Sequence, residues 1–152
     1  MNQFTERNGV AQVKRNRWIT TIFVIVIFLF GTLSALKGDT GSVTAQVDAA
    51  NGMLGVLGTY GNACFIELAE IDEMRLVNDL DTGSMLEGEQ SKNTYSGMFR
   101  NDEFGEFIFH AYIDRAPYIV IHHGEGEVLV FNQARERITR DIYEDLQEAC
   151  GK

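Results

Sequence analysis

The chain has only three histidines and two cysteines in 152 residues, and its 13 lysines and arginines are outnumbered by 22 aspartates and glutamates. Zinc needs three or four convergent ligands. His122 and His123, adjacent in an extended segment, point to opposite faces, so even with His110 and Glu125 they do not assemble a metal site. Ser34, Ser42, Ser84, Ser91 and Ser96 all lie outside a Gly-x-Ser-x-Gly setting, the strand-to-helix turn that exposes a nucleophile. No Gly-x-Gly-x-x-Gly or phosphate-loop pattern opens a helix. Gly52, Gly55, Gly58 and Gly61 recur every three residues, but they read as glycines of strongly bent strands. The pairs Asp79/Asp81 and Asp102/Glu103 lack the alternating ligands, central glycine and terminal glutamate of a calcium loop. No catalytic, cofactor-binding or metal residues are therefore assigned.

What is present divides the chain at Trp18 to Leu36, an uncharged and strongly apolar run. About 20 such residues in a helix span the roughly 30 Å hydrocarbon layer of a bilayer, and Ile22 to Phe30 is apolar on every face rather than along one stripe. Arg7, Lys14, Arg15 and Arg17 precede the run and Lys37 alone follows closely, a bias that keeps the head in the cytoplasm. The expectation is a cytoplasmic basic head at 1–17, a single transmembrane helix at 18–36, a linker at 37–42 and an extracytoplasmic domain at 43–152. A cleaved signal peptide is the competing reading, although the run exceeds the usual apolar core of one. Of the 22 acidic and 13 basic side chains, Glu6 and the four head cations lie before the run, leaving about 21 against 9 in the body. Nucleic acid and anionic lipid both need a basic footprint, so the body is not expected to bind either. Arg135, Arg137 and Arg140 share their segment with Glu136, Asp141, Glu144, Asp145 and Glu148 and read as an ion-paired, solvated helix surface.

About 115 residues after the run suffice for one small domain. Val43, Ala45 and Val47 alternate with polar residues up to Asn51-Gly52, a tight-turn dipeptide, and Met53 to Tyr60 returns as a second strand. Ala63 to Leu68 and Ile71 to Val77 read as another long strand, broken near Ala69-Glu70. Tyr95 to Phe99, Glu106 to Ile113, Tyr118 to His122 and Val128 to Phe131 give four more. Asp79 to Asn93 is polar and glycine-containing and reads as the longest loop, with room for a frayed edge strand. Asn132 is a candidate N-cap for a helix over 134–149 whose Ile138, Ile142 and Leu146 recur every four residues, with Tyr143 beside them. Six or seven short strands and one terminal helix predict a mainly β fold, a small barrel or sandwich whose open end the helix plugs.

Thr59-Tyr60-Gly61, Phe65 to Leu76, Ser96-Gly97-Met98-Phe99, Phe104-Gly105-Glu106-Phe107, Tyr118 to Ile121, Val128 to Asn132, and Thr139, Tyr143 and Leu146 in the helix carry a likeness. Over about Gly52 to Leu146 the chain resembles a bacterial pleckstrin-homology-like (PH-like) family found in membrane proteins, although a proline that would follow Val77 in that family is missing. The resemblance implies a seven-stranded bent antiparallel barrel capped by a C-terminal helix, with no catalytic set to carry over.

The function expected from these readings is a membrane-anchored, non-enzymatic interaction module that binds a peptide or membrane-protein partner at a sheet edge. The rival is a small-ligand sensor or small hydrolase using His110, His122 and the acidic loops. Cys64 and Cys150 are the only cysteines and an extracytoplasmic site permits oxidation, so a disulfide closing a loop of about 86 residues is one reading. A small buried thiol at Cys64 and a free one at the frayed helix end is the other.

Overall fold

A computed structural model describes residues 41–151. They form two sheets, three strands in the order β1-β2-β3 and six in the order β4-β8-β9-β7-β6-β5. The strands are β1 Thr44–Asp48, β2 Met53–Leu57, β3 Ala63–Glu67, β4 Ile71–Val77, β5 Ser84–Gln90, β6 Thr94–Asn101, β7 Gly105–Tyr112, β8 Tyr118–His123 and β9 Glu127–Phe131, followed by helix α1 at Glu136–Cys150. The break foreseen near Ala69 is a 3-10 turn, Leu68–Glu70.

Why the central strands are central is legible in their residues. Tyr118 to Ile121 and Val128 to Phe131 are buried along their whole length, the pattern of strands covered on both faces. Alternation then sends Ile119, Ile121, Leu129 and Phe131 to one face and Tyr118, Val120, Val128 and Val130 to the other. The first set joins Leu54, Val56, Ile66, Leu68, Ile142 and Leu146 in a core between the six-stranded sheet, the three-stranded sheet and α1. The second set joins Phe99, Phe107, Phe109 and Ala111, an aromatic layer of edge-to-face contacts such as Phe99–Phe109 at 5.0 Å between ring centres.

Slotting β9 between β7 and β8 gives a parallel β7–β9 pair and an antiparallel β8–β9 pair. The chain leaving β7 at Tyr112 therefore crosses the end of β9 before it can start β8. Asn132, at that end and fully buried, holds the crossing: its Oδ1 accepts from the Tyr112 amide at 2.6 Å, and its Nδ2 donates to the Tyr112 carbonyl at 3.2 Å and to the Arg115 carbonyl.

Five expectations are corrected here. No helix among the described residues is long and apolar enough to cross a membrane, so the fold class with an N-terminal transmembrane helix does not stand; the head at 1–17, the run at 18–36 and the linker up to residue 40 lie outside the described residues. The seven-stranded antiparallel barrel gives way to nine strands in two sheets with a parallel pair. Helix α1 plugs no barrel end, because Ile142 and Leu146 pack into the layer between the sheets. Asn132 is not the N-cap; Arg135 occupies that position without a side-chain cap, because the Asn132 amide is committed to the crossing. The stripe on α1 is also narrower than its spacing implied, with Ile142 and Leu146 buried and Ile138 39% exposed.

Candidate functional site

The six-stranded sheet ends in β4 on one side and β5 on the other. A sheet edge presents unpaired backbone N–H and C=O groups that another strand can join. Helix α1 lies against β4, where the Tyr143 hydroxyl donates to the Met74 carbonyl at 3.4 Å. By contrast, all seven residues of β5 are exposed. Met85 and Leu86 are 41% and 47% exposed, and Met98 on the neighbouring β6 is 36% exposed.

Local chemistry holds β5 in place at both ends. At its start, Asp81 Oδ1 accepts from the Gly83 amide at 2.9 Å, and Asn101 Nδ2 donates to the Asp81 carbonyl at 2.6 Å. At its end, the hairpin into β6 closes through the Ser91 amide and the Thr94 carbonyl at 2.9 Å, while Ser91 Oγ accepts from the Asn93 and Thr94 amides. In the middle the register shifts between Met85 and Glu87, which bulges Leu86 out of the ladder. Gly88 then faces Gly97, and a Cβ at Gly88 would stand 2.4 Å from the Ser96 carbonyl oxygen, so the two backbones meet more closely there than side chains would permit.

Pairing also fixes which face each β5 side chain takes. Glu87 stands opposite Met98 and Glu89 opposite Ser96, two positions apart on β6, so both carboxylates share one face. Among the described residues neither takes part in an ion pair, whereas Arg100 on β6 is already joined to Glu106.

The histidines fall in three separate surroundings. His110 is 3% exposed, with Nδ1 2.6 Å from Ser96 Oγ, and Ser96 Oγ also accepts from the Thr59 amide at 3.0 Å. Burial pushes the His110 pKa down to about 4, so the ring is neutral at pH 7. A hydroxyl beside an imidazole is the usual makings of a nucleophile and its base. Here Ser96 is fully buried, and Thr59, Thr94 and Ser91 continue the chain of hydroxyl contacts, so the pair is part of the seam that ties the turn at Thr59–Gly61 to β6 and β7. Sequence reasoning missed this pair, since only the register Ser96↔His110 brings the two together. His122 meets the edge of the Phe104 ring at 6.0 Å. His123, on the opposite face, stands 3.7 Å from Glu127.

The acidic loops are engaged in structure as well. Glu103 pairs with Arg75 at 2.9 Å, Arg75 lies over the Phe104 ring, and Asn101 Oδ1 accepts from the Phe104 amide at 2.7 Å. On α1 the foreseen ion pairs are Arg140–Glu136 at 2.9 Å and Arg137–Asp141 at 3.7 Å. Cys64 and Cys150 are not joined by a disulfide. Both pack against the core between the sheets, with Cys150 Sγ 3.9 Å from the Leu68 carbonyl oxygen and burial, aided by nearby Glu127, pushing the Cys64 thiol up to about 11.

No family model, no curated protein and no solved structure matches this chain.

Proposed function

We propose that this chain is a non-enzymatic binding module that takes an extended peptide as an added strand along β5. The observation that carries the reading is the contrast between the two edges of one sheet, β4 against the helix and β5 exposed at every residue. In strand addition the backbone supplies the hydrogen bonds and side chains at alternate positions supply selectivity. The anchored ends of β5 favour this, because an edge already held in strand geometry loses little conformational freedom on pairing. The rival small-ligand sensor or hydrolase, built on His110, His122 and the acidic loops, is disfavoured because His110 is buried, His122 lies against Phe104 and Glu103 is paired with Arg75.

The test is selection of extended peptides from a displayed library against the full chain, followed by amide hydrogen exchange of the complex. Slowed exchange concentrated in 84–90 is the expected result. Peptides that bind while exchange in 84–90 stays unchanged would overturn the proposal.

A further inference from the structure

Resting on the edge-binding reading above, we infer that the segment taken along β5 is basic, with Lys or Arg at alternate positions facing Glu87 and Glu89. In an antiparallel or parallel addition the new strand lies about 4.8 Å from β5 and keeps the same alternation of faces. Two side chains of the partner, two residues apart, therefore come beside Glu87 and Glu89, which are themselves about 7 Å apart along the strand. Opposite charges directly across a strand pair are stabilising and like charges destabilising.

Among the described residues no cation is ion-paired with either of the two. Arg100, on the same face two residues beyond Met98, is joined to Glu106, and Arg75 is held between Glu73 and Glu103. Lys92 stands in the turn after β5 as a single exposed cation. Toward the other end lie Asp79 and Asp81, so the strand sits in a locally negative stretch of a chain whose net charge is −9.

The same charges argue against a second copy of this chain as the occupant. Pairing β5 with β5 across a two-fold axis would bring Glu87 and Glu89 of one copy beside the same residues of the other. Natural edge strands use charge in this way to block edge-to-edge association. An edge that repels itself yet leaves Met85, on the face away from Glu87 and Glu89, uncovered is matched to a strand of opposite charge carrying apolar residues on its other face.

The experiment uses the full chain and three labelled nine-residue peptides of one alternating pattern. Valine and threonine occupy one face, and lysine, serine or glutamate the other; binding is read by fluorescence anisotropy and located by hydrogen exchange. At roughly 20 mM salt the lysine peptide should bind about tenfold more tightly than the serine peptide, and the advantage should shrink as salt rises and screening shortens. Glu87→Gln with Glu89→Gln should remove the advantage while leaving the melting temperature unchanged, since both side chains are exposed. Equal binding of lysine and serine peptides, both protecting 84–90, would overturn the charge inference and leave the edge reading standing. A lysine advantage that survives in the double variant also overturns it, as does concentration-dependent protection of 84–90 with dimer formation in sedimentation. Absence of protection in 84–90 with every peptide overturns the edge reading itself.

Discussion

Asn132 satisfies both backbone groups of Tyr112, accepting from its amide at 2.6 Å and donating to its carbonyl at 3.2 Å. One side chain thereby replaces the ladder partner that Tyr112 lacks where the chain crosses from β7 to β8. Removing that amide would leave buried backbone groups without partners, each at about 1–3 kcal/mol. Asn132→Ala is expected to lower stability by about 2–4 kcal/mol in chemical denaturation. Asn132→Asp should do no better, since a carboxylate oxygen would then face the Tyr112 and Arg115 carbonyls.

Helix α1 offers a contrast within one stripe. Leu146 is fully buried and Ile142 nearly so, whereas Ile138 is 39% exposed. Leu146→Ala is expected to cost about 2–5 kcal/mol. Ile142→Asp, which buries a carboxylate between the sheets, should cost several kcal/mol. Ile138→Asp should stay within about 0.5 kcal/mol. Melting curves of the three variants decide this, and an unshifted Ile142→Asp would show that α1 does not seal the core.

Stability should depend on His110 at mildly acid pH. Its pKa falls from 6.5 to about 4 on folding, so between those values the unfolded chain binds the proton and the folded chain does not. The contribution is fully present above pH 6.5 and is lost as pH falls toward 4, amounting to on the order of 3 kcal/mol. His110→Asn, which offers Ser96 a side-chain partner without a titrating group, should flatten that part of the profile. The difference between wild type and variant, measured from pH 7 to 4, isolates it from the carboxylates.

Gly58 tests the same seam sterically. Its φ of −89° suits any residue, but an added Cβ would stand 1.8 Å from Ser96 Oγ and 2.5 Å from His110 Nδ1. Gly58→Ala should therefore break the Ser96–His110 contact and cost about 1–3 kcal/mol through overpacking. Recovery of the loss by adding Ser96→Ala, which removes the struck oxygen, would assign it to this contact.

Cys64 and Cys150 are expected to stay unbridged. Alkylation of unreduced, denatured protein should label both Cys64 and Cys150, and a mass lower by two hydrogens with neither labelled would reveal a bridge. In the native state Cys64, with its pKa raised from 9.0 to about 11, should react with iodoacetamide about a hundredfold more slowly than an unperturbed thiol, because the thiolate is the reactive form.

The candidate edge was only faintly visible in the sequence. Ser84 to Gln90 is exposed on both faces, carries a glycine and is bulged at Leu86, so it shows no alternation and reads as part of a long loop. Its strand character comes from β6, which does alternate and supplies the ladder. Glu87 and Glu89 were equally ordinary as sequence, since only the register places them together on an uncovered edge.

Residues alone determined much of the local structure: short alternating or apolar stretches placed most of the strands, Tyr118 to Ile121 and Val128 to Phe131 among them, and Ile142 and Leu146 marked the helix face. Those signals are local, because burial imposes a period on the chain wherever one face is covered. Tertiary structure decided which strands became neighbours, placing β9 between β7 and β8, turning Asn132 from a cap into a crossing clamp, and joining Ser96 to His110. It also left β5 rather than β4 open. Periodicity records that a face is buried and says nothing of what buries it; the partner is chosen by pairings between distant segments, whose hydrogen bonds are backbone groups common to every residue.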